Sequence, residues 1–192
     1  MRDEIYERTH GDDDWTMRGE PGRDTGGSHH LLGSLGAAAA AGALATATMD
    51  AAMLAAAMAG GRAFDSKRLS PQIIGRWTAG LLRGQYRRED ITAEEPVPGE
   101  LALGMATHYA TGIMLTGAFL LVSSRRNRTF ARAVAYGVAT SIFPLFIMFP
   151  SMGYGWAGTR SGEARRLAQT MLVGHLAFGA GIGIWAGRFA RR

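Results

Sequence analysis

The chain contains no cysteine. Disulfides, iron–sulfur clusters and thiolate metal sites are therefore excluded. Formal charge is also missing, and its absence is regional. No Asp, Glu, Lys or Arg occurs in Leu101–Val122, Ala133–Pro150 or Leu167–Gly187, and Leu31–Ala59 carries only Asp50. Apolar runs of about 18 or more residues read as transmembrane helices. Motifs that would name a reaction are lacking too: there is no HExxH, GxSxG or phosphate-cradling glycine loop. The N-terminus does not read as a secretory signal. Thirty polar residues, Asp12, Asp13 and Asp14 among them, precede an apolar run too long for a signal peptide.

These features predict an all-α integral membrane four-helix bundle with an amphipathic interfacial connector helix. The expected spans are about 31–59, 101–122, 133–150 and 167–187. A length of 192 residues suits one such bundle with modest loops. Mean hydropathy is near zero only because arginine-rich loops and a charged tail offset the apolar spans. Residues 1–30 hold eight acidic and four basic residues, net −4, and are expected to be a disordered polar tail. Residues 31–192 hold eight acidic and 17 basic residues, net +9, and form the expected membrane domain. Basic loops suit a protein among anionic lipids, so the lipid bilayer is the expected partner. Neither a basic helix nor an aromatic stacking platform points to nucleic acid.

The first span is mostly alanine, which suits close helix contact better than lipid. The connector from Gly60 to Gly99 contains an amphipathic helix at about 71–83, with Ser70 as N-cap and Pro71 in its first position. Ile73, Ile74, Trp77, Leu81 and Leu82 share one face, with Arg76 and Arg83 among the polar positions. This helix either lies on the membrane or packs as a lid on the bundle end. Pro144 is expected to kink the third span. Gly179, Gly183 and Gly187 form a small-residue stripe, for packing inside the chain or in a homodimer. Inner segments would hold 11 basic residues and outer ones ten if the N-terminus is inside, so the positive-inside rule hardly decides. The compact Arg125, Arg126, Arg128 and Arg132 cluster favours cytoplasmic termini.

Asp50, His108 and His175 are the ionisable residues within the apolar runs. They stand nine, seven and eight residues from Ala59, Leu101 and Leu167. At ~1.5 Å per residue, that places them roughly 10–14 Å below one membrane surface. Four-residue spacing puts His108 on a face with Glu100, Gly104 and Gly112, His175 with Gly179, and Asp50 with Thr46. An interior Asp/His/His cluster follows, because such groups are costly in lipid. Glu100, Arg76, Tyr109 and Arg160 would stand at its mouth. Four readings stay open. The cluster can be a hydrogen-bond network joining helices, or a proton or solute path entered at Glu100. It can hold a metal through Asp50, His108 and His175, or haem through the two histidines. It can serve catalysis on a lipid or quinone, with Asp50 or His108 as base. Asp50 can also pair with Arg76 or Arg160. A non-enzymatic role, transport-like or structural, is favoured over the redox and enzyme readings.

The order of local sequences carries a resemblance. Met49-Asp50, Ile74-Gly75-Arg76-Trp77, Pro96-Val97-Pro98-Gly99-Glu100 and His108-Tyr109-Ala110-Thr111-Gly112 come first. Pro144, Met148, Pro150, Gly153, Thr159-Arg160-Ser161, Arg166-Leu167, His175 and Phe178-Gly179 follow. Together, from about Ala47 to Gly187, the chain resembles the bacterial membrane family called domain of unknown function 2938. The resemblance implies a small multi-pass protein of the bacterial inner membrane and no established activity. The chain departs from the family pattern near Arg88 and Glu89, where a histidine is usual, and at Gly162 and Glu163, where prolines are usual.

Overall fold

A computed structural model describes residues 25–60 and 67–189. Among the described residues five long helices follow one another: α1 (Thr25–Gly60), α2 (Pro71–Leu82), α3 (Glu100–Val122), α4 (Phe130–Thr140, prolonged to Ser151) and α5 (Ala164–Phe189). There is no strand among the described residues. Among them, four helical stretches are long and apolar enough to cross a membrane: Gly33–Ala59, Glu100–Val122, Phe130–Ser151 and Ala164–Arg188. The expected all-α bundle of four spans plus a connector helix is therefore present. The tail expected over residues 1–30 falls, up to residue 24, outside the described residues. Residues 25–30 are already helical. Helical hydrogen bonding runs past the apolar stretch, since hydropathy marks the membrane part of a helix and not its end.

Small residues set the packing. α1 lies against α3 and α5, and α5 lies against α1 and α4, while α3 and α4 touch little. A Cβ on Gly42 of α1 would stand 2.6 Å from Ile113 Cα, and one on Gly181 of α5 would stand 2.8 Å from Ala45 Cα. Gly137 of α4 faces Gly179 of α5 equally closely, a Cβ on the first falling 2.5 Å from Cα of the second. Lipid tails are as apolar as side chains, so such van der Waals fit drives helix association in a bilayer. The alanine-rich first helix thus sits inside the bundle on two sides.

Pro144 has no N–H to give, and the helix accommodates it by widening. Residues Pro144–Met148 form a π-helical turn, and the Phe149 amide bonds the Pro144 carbonyl five residues back. At the far end of the bundle Arg128 donates to the carbonyls of Ser123 and Leu120, at 3.0 and 2.7 Å. It thereby satisfies the last orphan acceptors of α3. One member of the basic cluster is thus a structural cap.

α2 packs on the bundle and does not present its apolar face to lipid. Ile73 and Trp77 are buried in a cluster with Ile91, Leu145, Phe149 and Leu167. It fills the gap between the start of α3 and the end of α4. A Cβ on Gly75 or Gly104 would fall 1.8 Å from a backbone oxygen of the other helix, that of Glu100 or Pro71. Thr78 and Thr107 share a hydroxyl contact of 3.2 Å, and Trp77 Nε1 donates to Ser151 Oγ at 2.6 Å. Ser70 occupies the N-cap position, but its side chain makes no capping bond. Burial pushes the Tyr154 hydroxyl of the neighbouring loop up to about 12, against the pull of Arg68 beside it.

This packing predicts that Thr78→Cys/Thr107→Cys forms an intrachain disulfide under mild oxidation, in a chain with no competing cysteine. Gly75→Val should abolish the cross-link, because its side chain has no space against α3. A pair that never cross-links in the parent background contradicts the α2–α3 contact.

Candidate functional site

Asp50 sits in the second half of α1, on the face that meets α3. Its Oδ1 lies 2.9 Å from His108 Nε2, and its Oδ2 accepts from the Tyr109 hydroxyl at 3.0 Å. Consecutive residues of α3 therefore grip both carboxylate oxygens. The His108 and Tyr109 rings meet edge to face, with centroids 5.7 Å apart. Below them Thr46 packs on Gly112, where a Cβ would collide with its hydroxyl. Thr46 donates to the Gly42 carbonyl at 2.9 Å. Thr116, one turn further on the same face of α3, is fully buried and its hydroxyl has no protein partner.

The carboxylate is held but not enclosed. The Asp50 side chain is 42% exposed and the His108 side chain 23%. Exposure at this depth means contact with bilayer, with water in a cleft, or with a bound molecule. An uncompensated charge there costs several kcal/mol. Asp50 is also the membrane-depth acid without an arginine. The other carboxylate of the four spans, Glu100, is paired.

That pair differs from the expected open mouth. Arg76 was assigned to the polar face of α2, yet it is 7% exposed. Its guanidinium takes Glu100 in a fork, Nε to Oε2 at 2.9 Å and Nη2 to Oε1 at 3.1 Å. Its Nη1 donates to the carbonyls of Glu94 and Ile91, at 2.7 and 3.2 Å. Glu100 also accepts from the Val97 amide at 3.1 Å. Every guanidinium nitrogen of Arg76 and both carboxylate oxygens of Glu100 have a partner, so no unpaired acid stands at an entrance. Asp50 does not pair with Arg76, whose three nitrogens are all engaged elsewhere. Arg160 is exposed on the loop before α5, its amide bonded to the Tyr154 carbonyl.

His175 shares the layer but not the hydrogen bonds. Its Nδ1 bonds the Met171 carbonyl of its own helix at 2.8 Å. It stays near enough to His108 for an electrostatic interaction. Depth along a helix fixes the layer, while rotation about the bundle decides who touches, and here rotation separates His175 from Asp50. The three-ligand metal set is therefore not formed, and no group of three or more such side chains among the described residues is placed to hold a metal. The haem reading also loses its geometry, since His108 turns Nε2 to Asp50.

The packing glycines stand where helices cross. Gly104 lies against α2, Gly112 against α1, and Gly179 and Gly183 against α4. Gly187 continues the stripe near the end of α5. At Gly179 and Gly183 the stripe is used within the chain.

The family model described as "Protein of unknown function (DUF2938)" matches residues 39–189. The chain belongs to this family. The DUF2938 match takes in every described element of the site, from Asp50 to His175. No curated protein and no solved structure matches the chain. This DUF2938 member is thus a protein of apolar helices suited to lipid contact.

Missed by sequence reasoning were the role of Tyr109 and the loop carbonyls that receive Arg76. Tyr109 was visible as a neighbour of His108, but it lies off the four-residue stripe that marked the face. The Arg76 geometry predicts that Arg76→Ala destabilises the fold by about 1–3 kcal/mol, because the half-buried Glu100 and the Ile91 and Glu94 carbonyls lose their charged donor. Arg76→Lys should recover part of that loss, having the charge but not the fork. Equilibrium unfolding in detergent checks both, and a neutral Arg76→Ala contradicts the assignment.

Proposed function

We propose that this is a multi-pass, non-enzymatic protein of the bacterial inner membrane in which Asp50 and His108 bind and pass on a proton. The observation that carries the reading is a carboxylate at membrane depth, gripped by His108 and Tyr109 and still open on one side. Histidine is the side chain whose ordinary titration lies near neutrality, so an Asp–His pair can gain and lose a proton without a strong driving force. In this pair the proton moves between Asp50 Oδ1 and His108 Nε2. His175 stands close by as a further acceptor. Topology with both termini cytoplasmic, supported by the Arg125, Arg126, Arg128 and Arg132 cluster, puts the Arg76 cap on the outer face.

A purely structural network is the competing role, and the packing weakens it. Gly42 against Ile113 and Thr46 against Gly112 already bring α1 onto α3 with van der Waals contact. The polar pair is not needed to join the two helices. A lone structural acid would also gain from complete enclosure, and this one lacks it.

Vesicles carrying the protein and an internal pH dye test the proposal. After an external acid pulse, the wild type should acidify the lumen faster than empty vesicles. Asp50→Asn and His108→Ala should return the rate to that of empty vesicles, while circular dichroism and melting show the fold kept. Wild-type rates equal to empty vesicles contradict the reading. Variants that lose the fold in place of the flux assign the pair to structure.

A further inference from the structure

The open side of Asp50 leads to the membrane surface along an apolar lane. On α1, Leu54 and Met58 follow Asp50 at four-residue steps and are 63% and 80% exposed. On α3, Met105 and Leu101 precede Tyr109 at the same steps and are 37% and 51% exposed. Residues four apart share a helix face. Both rows therefore run from the carboxylate toward the end of the bundle that carries α2. Two of the four side chains are methionines, flexible and polarisable, which fit around ligands of varied shape. Lipid tails alone would satisfy the apolar rows. They would not satisfy the acid at the bottom.

Charge decides what would. The four spans contain two carboxylates, Asp50 and Glu100. Glu100 has its cation in Arg76. Among the described residues Asp50 has no arginine or lysine partner, and its sole ion-pairing partner there is His108. The groups facing it from the packed helices are His108 and Tyr109 of α3, with His175 of α5 nearby; the other titratable groups of α1, His29 and His30, lie 21 and 20 residues earlier in the chain. An ionised Asp50 at this depth therefore calls for one positive charge. His108 supplies it when it carries a proton. A cation arriving along the lane supplies it equally, and the site then balances only if His108 is neutral. The aromatic ring of Tyr109 beside the carboxylate adds a favourable face for a desolvated cation.

We propose that the α1–α3 lane takes up a lipophilic cation whose charge docks at Asp50 and expels the proton held by His108. The cation enters from the bilayer, one proton leaves His108 for water, its N–H bond giving way to an O–H bond on the water, and no other covalent bond changes. This rests on the proton-binding reading of the same pair and adds the class of molecule that competes with the proton.

The test uses the full chain in nanodiscs and tetraphenylphosphonium as the probe, with tetraphenylborate as its counterpart of like shape and opposite charge. Equilibrium dialysis against empty discs should show saturable binding of the cation and none of the anion. Asp50→Asn should weaken the cation roughly 30-fold or more, the loss typical of removing one partner of a desolvated charge pair. Binding to the wild type in weak buffer should release protons, and His108→Gln should abolish that release. Equal uptake of the two probes by the wild type overturns the proposal without reference to any variant. So does a folded Asp50→Asn that binds like the parent, or cation binding that releases no proton. Proton flux measured without cation stands apart: flux without cation binding sinks this inference alone, and absence of both sinks the proton reading with it.

Discussion

Arg76 has to be saturated, and the cap of the bundle is built around saturating it. A guanidinium buried beside apolar helices is tolerable only with its donors occupied. Here α3 supplies the Glu100 carboxylate and the loop before it supplies the Glu94 and Ile91 carbonyls. α2, the loop and the first turn of α3 are thereby fixed to one another. Trp77, one residue on, then reaches Ser151 and ties α2 to the end of α4. A connector that composition alone would leave either on the membrane surface or as a lid becomes the wedge between two spans that hardly touch.

That anchor bears on the site two helical turns below it. Glu100 and His108 are eight residues apart on one helix, about 12 Å along its axis. Pinning Glu100 fixes how α3 is rotated, and hence that His108 and Tyr109 face α1. Further down, Gly112 and Ile113 meet Thr46 and Gly42 at close range. Asp50 lies between these two contacts, where α1 and α3 have little freedom to slide. The carboxylate is therefore presented by a rigid frame, with exposure confined to one side. A site that exchanges charge at membrane depth benefits from such a frame, because its donors need not reorganise when the charge moves.

Much of this was legible in the sequence, for reasons that also explain what was not. Charge-free runs longer than a bilayer thickness identify spans directly, and the four stretches match the helices to within a few residues. Counting residues from the span ends placed Asp50 and His108 at one depth, and the four-residue stripe of Gly104, His108 and Gly112 put His108 toward other helices. Depth and stripe say nothing of rotation about the bundle, so His175 fell into the same cluster although it bonds its own helix. An amphipathic reading assigns every arginine to the wet face. It cannot know that Glu100 and two loop carbonyls arrive from outside the helix to receive Arg76. Tyr109 was placed at the entrance when it is a direct partner of Asp50, since a long side chain reaches across from a position beside the stripe.

The central claim is that Asp50 and His108 share a proton inside the membrane. Solid-state nitrogen NMR of the His108 ring, in lipid and across a pH series, tests it most directly. The account predicts an Nε2 signal shifted by its bond to Asp50, passing between neutral and imidazolium patterns while the protein stays folded. In Asp50→Asn the shift of that signal should disappear. A His108 ring that keeps one neutral form at every pH at which the protein is folded, unchanged by Asp50→Asn, would contradict it.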